Sequence, residues 1–175
     1  MRGLPDSDRF VALLQEHKRI LYKVAYVYCR NREDRTDLIQ DIITQLWRSF
    51  GQFDNRNRFS TWMYRIAMNV AISFYRSESR RIRETVPIGE FVLDLAAADR
   101  VMDSAGDDVR ILHQLLARLD EFNRALILLY LDGHSHVEIA GIIGISTTNV
   151  ATKIGRIKLQ LQRDHHASQQ EATRR

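Results

Sequence analysis

Residues 135–162 read SHVEIAGIIGISTTNVATKIGRIKLQLQ, a stretch that predicts two short helices around a tight turn. The spacing is that of a helix-turn-helix. Ala140 is small where the second helix must approach, Gly144 can take a positive φ in the turn, and Val150 is an apolar plug between the helices. Ser135 with Glu138 three residues later fits a capping box, and Ser146 can cap the second helix. An ordinary helical hairpin burying its apolar face is the plainer alternative, and charge placement argues against it. Lys153, Arg156, Lys158 and Arg163 follow the turn with no acid between Ser146 and Arg163, a balance that suits a helix lying along phosphates. The second helix therefore reads as a DNA-recognition helix.

Outward from this motif, the charge map divides the 175 residues into unlike parts. Residues 1–83 carry 16 Lys/Arg against 9 Asp/Glu, residues 84–123 carry 3 against 9, and residues 124–175 carry 7 against 4. Two basic blocks around an acidic middle suggest two nucleic-acid-facing modules joined by a segment with a different partner. The lone cysteine, Cys29, has no internal disulfide partner, and no zinc-like Cys/His spacing occurs, so a reducing cytoplasm and no metal or cofactor are expected. Asp6, Asp8 and Glu16 break up the first 25 residues, which leaves no signal-peptide core. No run approaches the roughly 20 apolar residues of a membrane span.

The periodicity predicts helices throughout and almost no β pattern. Phe10, Leu13, Leu14, His17, Leu21, Val24, Ala25 and Tyr28 recur at helical spacing from about Ser7 to Arg30, followed by a polar turn over Asn31–Arg35. A helix near Thr36–Phe50 puts Leu38, Ile39, Ile42, Ile43, Leu46, Trp47 and Phe50 inward and Asp37, Gln40, Asp41, Thr44 and Gln45 outward, with Gly51 as its stop. After a loop over Gln52–Arg58, Ser60 caps a long helix running toward Arg83, in which Phe59, Trp62, Ile66 and Val70 are assigned to the core. Residues 84–108, with seven acids and one base, read as a flexible linker. From Val109 apolar spacing resumes to Gly133, and residues 164–175 read as a frayed polar tail. The expectation is an all-α chain of two small helical domains, 1–83 and 109–163.

Residues 52–83 interleave Phe53, Phe59, Trp62, Tyr64, Phe74 and Tyr75 with Arg56, Arg58, Arg65, Arg76, Arg80, Arg81 and Arg83. That mixture suits single-stranded DNA, whose exposed bases stack on aromatic faces for about 1–3 kcal/mol each. Aromatics at helical spacing are more often core, so the loop Phe53–Asn57 is the better base-binding candidate. Here a family is visible. Residues 36–81, TDLIQDIITQLWRSFGQFDNRNRFSTWMYRIAMNVAISFYRSESRR, resemble region 2 of bacterial sigma factors of the extracytoplasmic-function type, and Leu119–Leu161 resembles their region 4. The order of parts carries the likeness: DL-x-Q-D, an apolar helix ending W-R-x-F, then F-x-x-W-x-x-R-I-A-x-N, an acidic linker, and L-D-E with L-x-G-x-S-x-x-E-I-A before the turn.

The resemblance implies a subunit without catalytic activity that confers promoter recognition on core RNA polymerase. It implies that Asp37, Gln40 and Asp41 dock on the β′ clamp helices, and that the second module meets the β flap. Phe53, Asn55, Arg56, Arg58, Arg65 and Asn69 would read the melted minus-ten element, where a base flips into a loop pocket. Thr148, Asn149, Thr152, Lys153, Arg156 and Lys158 would meet the minus-thirty-five duplex. Ala151, Thr152, Gly155 and Arg156 occupy the base-facing positions, and only Thr152 and Arg156 have useful polar reach. An Arg on guanine O6 and N7 discriminates by about 1–3 kcal/mol. Ala151 and Gly155 depart from the family pattern and point to weak or shape-based minus-thirty-five readout.

Asp34-Arg35-Thr36-Asp37 replaces an acidic run, so Thr36 is a possible phosphosite whose added charge of about −1.5 to −2 would restore the face. A plain N-cap is the simpler reading of Thr36. An anti-sigma partner and a cytoplasmic location are also implied. The rival within DNA binding is a helix-turn-helix regulator that binds operator DNA as a dimer without acting as a sigma subunit. An enzyme built on His134, His136, His165 and His166 is the weakest reading, since two flank a helix cap and two lie in the predicted tail.

Overall fold

The computed structural model describes residues 5–54, 56–76 and 106–173, and among them it is all helical, with no strand. The chain divides into two compact units, Met1–Ser104 and Ala105–Arg175. No described helix is long and apolar enough to cross a membrane.

The first unit packs three helices against one another: α1 (Pro5–Tyr28), α2 (Arg32–Ser49) and α3 (Phe59–Arg76). Its centre is made by Phe10, Leu14, Leu21 and Val24 of α1, Leu38, Ile42 and Leu46 of α2, and Met63, Ala67, Met68 and Ala71 of α3, all wholly buried. Burying side chains of this size stabilises by about 1.5–3 kcal/mol each for the larger ones, which offsets the entropy of ordering the chain.

Three local expectations are corrected here. The stretch Asn31–Arg35 is not a turn, because α2 begins at Arg32 with Asn31 as its N-cap. The Asn31 Oδ1 accepts from the Asp34 N–H at 2.7 Å, and Glu33 and Asp34 in the first turn suit the helix dipole. Thr36 is therefore no cap: it is exposed one turn inside the helix, its hydroxyl donating to the Arg32 carbonyl at 2.9 Å. At the other end Gly51 lies at C′, where the helix is expected to stop, but without a left-handed conformation. The chain tightens into a single 3-10 turn, Phe50–Gln52, held by burial of Phe50 edge-on against Phe10 with ring centroids 5.1 Å apart.

The core face of α3 also differs from the expected one. Phe59 is buried, whereas Trp62, Ile66 and Val70 are half-buried at the edge, and Met63, Tyr64, Ala67, Met68 and Ala71 face the centre. Most of the α3 circumference is apolar, so spacing does not single out one stripe. The small Ala67 and Ala71 let the backbone approach. Ser60 lies within the first turn of α3 and not at its cap. The predicted continuation to Arg83, residues 77–83, lies outside the described residues.

The second unit contains α4 (Asp107–Leu116), α5 (Glu121–Leu131), α6 (His136–Ile143) and α7 (Thr147–Thr173). Helix α4 begins two residues inside the stretch read as linker; the rest of that stretch, 84–105, is outside the described residues. Asp120 caps α5 by accepting from the Asn123 N–H at 2.7 Å. Arg124, 3 % exposed, donates to the carbonyls of Leu116, Ala117 and Leu119 at 3.1, 3.2 and 2.9 Å. It thus satisfies three acceptors where α4 ends and turns into α5. The expected frayed tail is corrected as well: α7 continues to Thr173. Residues 156–173 hold no proline or glycine and are rich in Gln, Arg, Leu and Ala, which need no apolar stripe to favour helix.

Candidate nucleic-acid and polymerase interfaces

The helix-turn-helix is built as its residues dictate. Ser135 caps α6, its Oγ accepting from the Glu138 N–H at 3.3 Å, and the Glu138 carboxylate accepts from the Ser135 N–H at 2.8 Å to close the capping box. Gly144 ends α6 at φ 84° and ψ 34°, and the Ala140 carbonyl accepts its N–H at 2.9 Å. Ser146 starts α7 by accepting from the Asn149 N–H at 3.2 Å. Val150, Ile154 and Ile157 then join Ile139 and Ile142 in the core.

With these buried, α7 exposes Thr148, Asn149, Ala151, Thr152, Gly155 and Arg156. The Thr152 hydroxyl donates to the Thr148 carbonyl at 2.9 Å, which leaves its oxygen as an acceptor toward solvent. The two lysines rest on rings of α5. Lys153 Nζ lies 5.5 Å from the Phe122 ring centroid, and Lys158 Nζ lies 4.0 Å from that of Tyr130 while donating to its hydroxyl at 2.6 Å.

In the first unit Gln40 is exposed on α2, and Asp37 and Asp41 beside it are half-buried. The Arg35 guanidinium turns toward α1, 5.1 Å from the Tyr26 ring centroid. Between α2 and α3, Phe50, Phe53, Phe59 and Trp62 form one aromatic cluster. Phe53 lies 5.5 Å from Phe59, 5.1 Å from Trp62 and 6.2 Å from Phe50, so its ring is half-buried against the protein. Asp54 accepts from the Arg56 N–H at 3.1 Å and holds the loop in a local turn. Arg56, Arg58, Arg65 and Asn69 are exposed, and Asn55 lies outside the described residues.

Asn69 also lines a groove of about 250 Å³ with Gln45, Ile66, Val70 and Ser73. A shallow, open depression lies between α1 and the loop, lined by Arg9, Glu16 and His17 on one side and Phe53, Asn57 and Arg58 on the other. The contribution of α1 to this depression escaped sequence reasoning. Its one signal was His17, a polar side chain in the inward stripe of α1. Among the described residues no three His, Cys, Asp or Glu side chains converge as a metal-binding group.

A capped helix-turn-helix in one helical unit, with an arginine-fringed aromatic loop in another, defines a two-module DNA-binding protein. Comparison with known proteins agrees with this. The sigma-70 region 2 family description matches residues 13–81, and that of sigma-70 region 4 matches residues 110–161. The chain is 26 % identical over 160 residues to the extracytoplasmic-function RNA polymerase sigma factor SigW of Bacillus subtilis, covering 86 % of each. It is 29 % identical over 162 residues to the RNA polymerase sigma factor CnrH of Cupriavidus metallidurans, covering 87 % of this chain and 84 % of that one. Among solved structures, that of CnrH in complex with the cytosolic domain of CnrY matches with a TM-score of 0.65 and 25 % identity, over 90 % of this chain and 88 % of that one. The chain belongs to the sigma-70 family as an alternative sigma factor of the extracytoplasmic-function type, a subunit that directs promoter-specific transcription. A match to region 2 as well as region 4 leaves the operator-binding regulator unfavoured.

Proposed function

We propose that the two units divide the work of initiation, the first docking on polymerase and reading the melted minus-ten element, the second reading the minus-thirty-five duplex. The observation that carries this is the face of α7: beyond a turn fixed by the left-handed Gly144 and the Ser146 cap, Thr148, Asn149, Thr152 and Arg156 stand exposed on the helix that follows. Arg156 and Thr152 then address base edges, while Lys153 and Lys158, leaning on Phe122 and Tyr130, meet phosphates.

In the first unit Asp37, Gln40 and Asp41 face the β′ clamp helices, where acids opposite a basic coiled coil set register and encounter rate more than affinity. The second unit meets the β flap. Arg56, Arg58, Arg65, Asn55 and Asn69 track the single strand around the aromatic loop. The chain itself carries out no catalysis and acts where the polymerase acts, in the cytoplasm. Phosphate added to Thr36 would raise the negative charge beside Asp37; unchanged activity of a Thr36→Ala chain in induced cells removes that role. A protein inhibitor covers these same faces at rest, in line with the relative CnrH having been solved with the cytosolic domain of CnrY.

The test is run-off transcription by core bacterial RNA polymerase, with and without the chain, on a pool of upstream genomic fragments. Discrete start sites that require the chain are expected. Tight binding to duplex DNA without polymerase, and no new transcripts, would replace this reading with the operator-binding regulator.

A further inference from the structure

We infer that Tyr130, near the end of α5, positions Lys158 of α7 for a backbone phosphate of the promoter duplex, so that a neutral phenol on one helix sets the reach of a cation on another. The inference rests on the reading above that the second unit meets the minus-thirty-five duplex, and adds to it a residue outside α7.

The Lys158 Nζ donates to the Tyr130 hydroxyl at 2.6 Å and lies 4.0 Å from the centroid of the same ring. Held by both the hydroxyl and the face of one phenol, the long lysine stem is already ordered, and little rotamer freedom is left to lose when the ammonium meets an anion. Among the described residues no carboxylate is paired with this ammonium. The two acids nearest Tyr130 on the following turn and helix lie against other groups: Asp132 is 4.0 Å from His134 Nε2, and Glu138 accepts from the Ser135 N–H at 2.8 Å. An acid in place of Tyr130 would order the lysine and offset its charge, whereas a phenol orders it and leaves the full charge for an external anion.

The tether also sets where the charge stands. The Tyr130 ring lies 6.2 Å from that of His136, the first residue of α6. Lys158 is thereby drawn from the flank of α7 toward the start of α6, the first helix of the helix-turn-helix, and in this motif the first helix is the one that crosses the DNA backbone. Lys153 supplies the comparison on the same helix: its Nζ lies 5.5 Å from the Phe122 centroid, and that ring has no hydroxyl to bond it. One lysine is tied by a hydrogen bond, and the other only rests on a ring.

The experiment measures the affinity of reconstituted holoenzyme for a promoter fragment recovered by the run-off test, at several KCl concentrations. Wild type is compared with Tyr130→Phe, which keeps the ring and removes only the hydroxyl, with Lys158→Met, and with the double variant. Lys158→Met is expected to weaken binding about tenfold and to lower the salt slope by about 1, as loss of one phosphate contact does. Tyr130→Phe is expected to weaken binding about three- to fivefold with the slope unchanged, and to change it by less than about twofold in the Lys158→Met background. Its effect should persist in full in a Lys153→Met background, because that lysine is not tied to the hydroxyl. Wild-type affinity of Tyr130→Phe, or unaltered affinity and slope of Lys158→Met, overturns the inference. An equal loss from Tyr130→Phe with and without Lys158, accompanied by a lower melting temperature of the second unit, gives Tyr130 a packing role and overturns it as well. Wild-type holoenzyme indifferent to replacement of the minus-thirty-five segment overturns the reading of the second unit, and absence of any chain-dependent transcript overturns the sigma reading itself.

Discussion

The two surfaces proposed to meet DNA are held in shape by different means. At the turn between α6 and α7 short-range hydrogen bonds set the shape: the left-handed Gly144 and the following Ile145 donate to the Ala140 carbonyl, Ser146 caps α7, and side chains of α7 are left exposed. At the loop between α2 and α3 a 3-10 turn and the Asp54–Arg56 turn are joined by tertiary packing, with Phe50, Phe53, Phe59 and Trp62 resting on one another. A turn fixed by local bonds presents a straight helix, suited to the groove of a duplex whose geometry is already set. An aromatic loop fringed by arginines offers ring faces, suited to a base that has left its stack. One surface is specified by short-range hydrogen bonds and the other by tertiary packing, so they should fail under different substitutions.

The largest effect should come from Phe50→Ala. Phe50 is 6 % exposed, edge-on to Phe10, stacked toward Phe53 and lies under the Arg9 guanidinium at 5.6 Å. Its loss removes the support of the loop together with core volume, and a cost of about 3–5 kcal/mol is expected. Each unit has its own core, so thermal unfolding should show the first unit melting earlier with the second unmoved. An equal shift of both would mean that they unfold as one.

Gly144→Val should come next. At φ 84° a β-branched side chain is strained even though an added Cβ meets nothing within 4 Å, and about 1–3 kcal/mol is expected from the backbone alone. The second unit should be destabilised, and transcription should fall most at promoters that depend on the minus-thirty-five element. A variant that loses transcription equally at promoters without that element would break the division between the two surfaces.

The same contrast explains what could be read in advance. The helix-turn-helix was legible because Ser135, Glu138, Gly144, Ser146 and Val150 act over a few residues, and each signal has one dominant outcome. Gly51 falls at C′ of α2 as its type suggests, but glycine permits a left-handed conformation without requiring one, and with Phe50 buried against Phe10 the chain tightens into a 3-10 turn instead. The start of α2 at Arg32 was available in the Asn31 to Asp34 spacing, but a run of five polar residues reads as a turn unless the cap is recognised first. The tail of α7 lacks an apolar stripe, so periodicity says nothing about it, and propensity alone carries the helix. His17 falls in a correct α1 stripe, but its partner Phe59 is 42 residues away, beyond any local pattern.

The smallest expected effect sharpens the comparison from the helix side. Gly155 sits in the middle of α7 on its exposed face, where glycine lowers helix stability by about 0.5–1 kcal/mol relative to alanine. An added Cβ meets nothing within 4 Å, so Gly155→Ala should raise the stability of the second unit by that amount without a clash. If the recognition surface works through the side chains of Thr152 and Arg156 on either side of the gap, transcription from minus-thirty-five-dependent promoters should stay within about twofold of wild type. A more stable unit with much weaker transcription would instead show that DNA approaches the α7 backbone at Gly155, and that this surface reads shape through a gap where it was expected to read bases through side chains.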